Sequence, residues 1–215
     1  AFKPDNNALK AAVDACVDAT TKDGSECYAC LDGTMKTSAE TCTAGDTAQF
    51  ISDWDTSAVT DMSAVFYEKL QFDQDLGAWD VSSVTTFKNM FRHSVSYSNK
   101  GMPLNWDVSS GENFVHMFSY TQFNQCLCSW DMSKATTIAG MFIGGYFGGT
   151  NGRSGISHPF NQDLSCWDVS SVTSFAHMFD NLESGSGNSN AMAQTLCWDT
   201  GSASTTDMFK GSSGS

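Results

Sequence analysis

All six tryptophans of the chain stand in the dipeptide Trp-Asp, at Trp54, Trp79, Trp106, Trp130, Trp167 and Trp198. A phenylalanine follows twelve residues after each of the first five, at Phe66, Phe91, Phe118, Phe142 and Phe179, and eleven after the sixth, at Phe209. Units of constant internal spacing recur at intervals of 25, 27, 24, 37 and 31 residues. This confines the fold to one in which a single small element repeats and buries its aromatic face against its neighbours. Blades of a Trp-Asp propeller need about 40–45 residues, more than these intervals allow.

Inside a unit, Trp79-Asp-Val-Ser82 alternates apolar and polar residues as a short strand does. Phe87, Met90 and Phe91, like Met62, Val65 and Phe66, follow the i, i+3, i+4 spacing of a helical face. Thr60, Thr85, Thr136 and Thr173 fall where N-cap hydroxyls belong. The pattern predicts an α/β solenoid, a leucine-rich-repeat-like stack of about six short strand–helix coils over residues 50–210. Residues 1–49 form a Cys-rich, disulfide-rich helical cap with a stripe of Leu9, Val13, Cys16 and Val17, and residues 211–215 a flexible Gly/Ser tail. Trp130 is expected to point inward.

The strings Phe160-Asn-Gln-Asp-Leu-Ser-Cys-Trp-Asp-Val-Ser-Ser-Val-Thr173 and Trp79-Asp-Val-Ser-Ser-Val-Thr85, each followed by Met-Phe, resemble the repeat of BspA-like leucine-rich surface proteins. The resemblance covers residues 50–210 and implies an extracellular repeat domain used in adhesion or partner binding, with no catalytic residues. The chain departs from that family in its cysteines, its Cys-rich cap and its long inserts.

Twenty-four acidic against 11 basic side chains, a net charge of −13, repel phosphate and exclude a nucleic-acid partner. No apolar run is long enough to span a bilayer. Eight cysteines without a paired zinc-type motif predict disulfides and a secreted or cell-surface location. Cys16, Cys27, Cys30 and Cys42 are expected to pair within the cap. Cys166 and Cys197 share one register, one unit apart, within the reach of a disulfide, whereas Cys126 and Cys128 have no obvious partners. Spacing alone does not choose the connectivity.

The aspartate after each tryptophan (Asp55, Asp80, Asp107, Asp131, Asp168 and Asp199) forms the most regular polar series. One reading is a calcium ladder; the favoured one is a set of Asx turns accepting the N–H groups that follow. No cofactor and no resident metal are expected. Asp73-Gln-Asp75, Asn124-Gln125 and Asn161-Gln-Asp163 are expected to bridge neighbouring units by side-chain ladders. His116 and His177 share one register with Gly140 between them, too far apart for one zinc ion.

These features predict a non-catalytic secreted or surface protein that mediates adhesion or binds an extracellular protein or glycan. The candidate binding residues are Tyr146, Phe147, Arg153 and His158, on the Gly-rich insert between the fourth and fifth units. Aromatics on such a loop suit recognition, and equally suit covering the edge beneath it. The alternative is a structural or surface-templating protein, ice binding included, that presents its hydroxyl columns. The shortened sixth unit leaves an unpaired edge, so end-to-end self-association is a further expectation.

Overall fold

The computed structural model describes residues 2–17, 23–30, 33–36, 47–145, 158–181, 191–212 and 214. Helix α1 (Asn6–Cys16) begins where the Asp5 carboxylate accepts the Ala8 N–H at 2.8 Å, a helix cap. Its buried stripe is Leu9, Ala12, Val13 and Cys16, and a disulfide joins Cys16 to Cys27 across a Cα separation of 5.1 Å. Strands β1 (Tyr28–Ala29), β2 (Met35–Lys36) and β3 (Gln49–Phe50) make a small antiparallel sheet in the order β2-β1-β3. Tyr28 faces Lys36 on one side and Phe50 on the other.

The expectation of a leucine-rich-repeat-like α/β solenoid is overturned. Among the described residues α1 is the only α-helix and this three-stranded sheet the only sheet, and all of them precede residue 51. In their described residues the Trp-Asp units contain no strand–helix coils; apart from two short 3-10 turns, Ile51–Asp53 and Asn99–Gly101, these residues form tight turns and isolated bridges. The physical reason lies in how the backbone N–H groups are shared.

In the first unit Val65, Tyr67 and Lys69 donate back within the unit to Met62, Ala64 and Phe66 carbonyls, closing successive turns. The alternate residues Met62, Ala64, Phe66 and Glu68 donate outward to the carbonyls of Thr86, Lys88, Met90 and Arg92 in the next unit, at 2.8–3.0 Å. An α-helix would spend all of these donors internally. Left-handed backbone at Ala64 and Glu68 (φ 56° and 59°) makes the alternation possible, and it recurs at Asn89 and His93 and at His116 and Tyr120. Consecutive turns reproduce the helix-like apolar spacing: Met62, Val65 and Phe66 are all buried without a helix.

Single parallel bridges link Asp61 to Thr86, Thr86 to Asn113, Asn113 to Thr137, Thr137 to Ser174 and Ser174 to Ser204. One continuous aromatic column runs through the core. Phe66, Phe91, Phe118, Phe142, Phe179 and Phe209 stack ring on ring, with successive centroids 5.2, 5.7, 5.9, 5.7 and 5.3 Å apart. Trp130 is buried, as expected. Each indole N–H reaches across to the segment before the preceding Trp: Trp79 to Ile51 O at 2.8 Å, Trp106 to Leu76 O at 2.9 Å, Trp130 to Leu104 O at 2.7 Å and Trp167 to Leu127 O at 2.9 Å. The amide ladders form too, with Asn124 Oδ1 accepting the Asn161 N–H and Asn161 Oδ1 accepting the Ala193 N–H.

Cys166 pairs with Cys128, across a Cα separation of 5.6 Å, rather than with Cys197 in its own register. Units lie on both sides of Cys166, so register alone left the choice open, and the bond goes to the preceding one. Cys30 is also disulfide-bonded, whereas Cys126 and Cys197 are exposed free thiols.

Candidate functional site

The outward surface of the units is set by two devices. The first is the Trp-Asp turn. Asp55, Asp80, Asp107, Asp131 and Asp168 each accept the backbone N–H of the serine two residues on, at 3.0–3.1 Å, and Asp199 does the same with Gly201. Hydroxyl and backbone N–H bonds from those serines hold Asp55, Asp107, Asp131 and Asp168 below the usual carboxylate range. The aspartate series therefore consists of Asx turns, each carboxylate already engaged by its own chain.

The second device is the exposed column Thr60, Thr85, Glu112, Thr136 and Thr173. Its threonines are not helix caps, since no helix follows them. Thr85, Thr136 and Thr173 instead donate both N–H and hydroxyl to the carbonyl one unit back, on Thr60, Glu112 and Thr136, with hydroxyl distances of 3.3, 3.0 and 2.9 Å. Each hydroxyl proton is directed inward along the row. The oxygens left outward are acceptors held in register by the bridges beneath them.

Of the residues assigned to recognition, Tyr146, Phe147 and Arg153 lie outside the described residues, and His158 is buried. Its Nδ1 accepts the Phe160 N–H at 3.2 Å and Nε2 donates to Phe118 O at 2.8 Å, with Thr121 Oγ1 at 3.3 Å. Burial pushes its pKa down to about 4. A neutral imidazole thus braces the interior between units, away from the surface where a ligand would be read. His116 is also pushed down to about 4, first by burial and then by the Arg92 charge. Its ring occupies the space that a side chain at Gly140 would fill.

A grouping not foreseen from spacing joins His177 and Asp180, three residues apart, to Asp207 of the sixth unit. His177 Nδ1 lies 2.8 Å from Asp180 Oδ2 and 4.0 Å from Asp207 Oδ2, and Lys210 Nζ sits 3.2 Å from the same Asp207 oxygen. The left-handed positions His177 and Asp207 (φ 59° and 53°) fall one unit apart, and this brings them together. The missing residue of the sixth unit hid the shared register, because Asp207 is ninth rather than tenth after its Trp.

A family model described as Mycoplasma protein of unknown function, DUF285, matches residues 34–149 and 154–214. The chain belongs to the DUF285 family. The matched residues of this DUF285 chain span all six Trp-Asp units. Comparison with the curated proteins found no match, and comparison with the solved structures found none. Among the described residues of the DUF285 chain, no helix is long and apolar enough to cross a membrane.

Proposed function

We propose that the chain is a secreted or cell-surface protein of adhesive type, non-catalytic, whose units present a rigid polar row to an extracellular protein or glycan. The observation that carries this reading is the outward acceptor column of Thr85, Thr136 and Thr173. Its oxygens are fixed because their protons are spent on the neighbouring unit. A row of fixed acceptors suits a ligand with repeated hydroxyl or amide donors, as a glycan chain or an extended polypeptide has. The Cys16–Cys27 and Cys128–Cys166 bonds support an oxidising location, and the likeness of the repeat to BspA-like surface proteins supports the same role.

The insert from Ile143 to Pro159, with Tyr146, Phe147 and Arg153, is the proposed source of selectivity. Binding of the immobilised protein to a panel of glycans and matrix proteins tests the reading. A saturable ligand whose binding falls in the Thr85→Val/Thr136→Val/Thr173→Val variant supports it. A ligand bound equally well by that variant and by a chain with residues 146–157 replaced by a short turn overturns it. The regular spacing of the same row favours surface templating as a second reading. Thermal hysteresis in the wild-type protein, lost in the triple variant, would put that reading first.

A further inference from the structure

One disulfide and two thiols share an exposed strip of the fourth, fifth and sixth units. Cys126 and Cys128 stand two residues apart ahead of Trp130, while Cys166 and Cys197 each stand directly before a tryptophan, Trp167 and Trp198. All four cysteines are exposed. Cys128 and Cys166 are bonded to each other, whereas Cys126 and Cys197 are free thiols. An exposed disulfide is the labile kind, and each half of this one has a thiol for a neighbour.

The stacking of the units carries Cys197 to Cys166. Trp167 and Trp198 lie ring on ring, with centroids 6.1 Å apart and planes within 4°, and the Trp198 indole N–H donates to Leu164 O at 3.2 Å. The residues just before the two rings are therefore one unit apart. That is about 4.8 Å for backbones lying side by side, inside the Cα range of roughly 4.4–6.8 Å that a disulfide accepts. Cys197 also lines a cleft of about 250 Å³ with Ser165 and Trp167, the residues on either side of Cys166. Cys128, bonded from the fourth unit across a Cα separation of 5.6 Å, lies on the opposite side of Cys166. A thiolate at Cys197 thus approaches Cys166 Sγ in line with the bond to be broken. These relations involve the fourth, fifth and sixth units alone and hold whatever lies beyond the sixth. Cys126 is the poorer attacker. Its Sγ accepts the Cys128 N–H at 3.5 Å, but a bond between those two would pucker a segment pinned at buried Leu127, whose carbonyl takes both the Trp130 N–H and the Trp167 indole N–H.

We infer that this cross-link migrates between units. Cys197, as the thiolate, attacks Cys166 Sγ, and the Cys166–Cys197 bond forms as the Cys128–Cys166 bond breaks. Cys128 leaves as a thiolate and takes up a proton in place of the one that Cys197 gave up. One disulfide and two thiols stand before and after, so no oxidant or reductant is consumed. The two bonds span 38 and 31 residues, so loop closure favours neither strongly. What changes is the clasp. The first bond brackets residues 143–159 of the insert, whereas the second leaves them outside and ties the fifth unit to the sixth. The strip is a redox-neutral switch that clasps or releases the insert-bearing segment, and it operates without the threonine row or any ligand.

The 215-residue chain is held without oxidant at about pH 8.5, where an ordinary thiol is half ionised. It is then quenched with acid and N-ethylmaleimide, digested and mapped by mass spectrometry. Cys166–Cys197 peptides are expected to reach about a tenth or more of the cross-links at Cys166, a share that allows the original bond a tenfold preference. Their rate of appearance is expected to be independent of protein concentration and matched by alkylated Cys128. Cys126→Ser is expected to leave the exchange in place and Cys197→Ser to abolish it. Cys128→Ser, refolded in a glutathione redox buffer, is expected to carry the Cys166–Cys197 bond. A wild-type share that stays below that tenth at equilibrium overturns the inference. So does loss of the exchange in Cys126→Ser, a folded Cys128→Ser protein with Cys166 and Cys197 both alkylated, or linkage at Cys197 that rises with protein concentration, which would make it intermolecular.

Discussion

Left-handed backbone at residues other than glycine is the residue-scale feature on which the units depend. Ala64, Asn89, His116, His177 and Asp207 all adopt it, and Gly140 fills the same place in the fourth unit with φ 63°. A side chain in that conformation costs about 1–2 kcal/mol, so Ala64→Gly is expected to raise stability by roughly 0.5–1 kcal/mol in urea denaturation. Gly140→Ala is expected to lower it by more than about 1 kcal/mol, because the new methyl collides with the His116 ring. Equal effects of the two changes would show that backbone conformation does not limit these sites. His158 supplies a pH dependence of definite sign. Its pKa is pushed below the ordinary 6.5 to about 4 by burial, so between those values the unfolded chain binds the proton and the folded chain does not. Stability therefore falls as pH drops from 6.5 towards 4, by about 3 kcal/mol for this group. His158→Gln is expected to flatten the fall, measured by denaturation at pH 7 and pH 4.5; an unchanged slope would remove His158 as its source.

Within one unit the burial of a tryptophan and the turn that follows it are separable contributions. Trp130→Ala is expected to cost about 3–5 kcal/mol through lost contacts and a residual cavity, because the ring stacks on Trp106 at 6.2 Å and packs against Phe114 and Phe118. Asp131→Ala is expected to cost only about 1 kcal/mol, since it removes one exposed acceptor from the Ser133 N–H. Thermal melts of the two variants measure the ratio, and comparable losses would mean that the turn, rather than the aromatic core, organises the unit. The cross-unit bond between Cys128 and Cys166 closes a segment of sequence separation 38, a loop for which chain entropy alone implies about 3–4 kcal/mol. Replacing both with serine is expected to lower the melting temperature while leaving the circular dichroism of the folded state unchanged. A variant with native-like melting would show that the unfolded chain gains nothing from the bond.

At the scale of the whole molecule, charge opposes the packing. Six aspartates recur at one-unit intervals on the exposed edge and 24 acidic groups face 11 basic ones, so the folded chain concentrates negative charge that the unfolded chain spreads out. Screening relieves that repulsion, because the Debye length shrinks from about 30 Å at 0.01 M to about 8 Å at 0.15 M salt. The melting temperature is accordingly expected to rise over that range in sodium chloride, measured by calorimetry. A flat response would indicate that the Asx turns already neutralise the field locally. Calcium is expected to add no more than the ionic strength it brings, since the carboxylates are engaged by backbone donors.

Much of this was legible in the chain itself. The Trp and Phe spacing specified a repeating element with a buried aromatic face, the Asp after each Trp specified the Asx turn, and the Asn-Gln pairs specified the amide ladders, because each depends only on residues a fixed distance apart. The backbone path between Thr60 and Phe66 was not legible. Apolar positions i, i+3 and i+4 are brought to one face by a helix or by successive turns alike, and the choice depends on whether the N–H groups bond within the unit or to the next one. The next unit makes that choice: its carbonyls draw off every second donor and stabilise left-handed residues that would be unfavourable in an isolated segment. The same dependence on neighbours sent Cys166 to Cys128, brought Asp207 beside His177, and turned His158 inward as a brace. Local sequence determined what repeats and what is buried, whereas only the tertiary structure decided the hydrogen-bond partners, because those are supplied by residues some two dozen or more positions away.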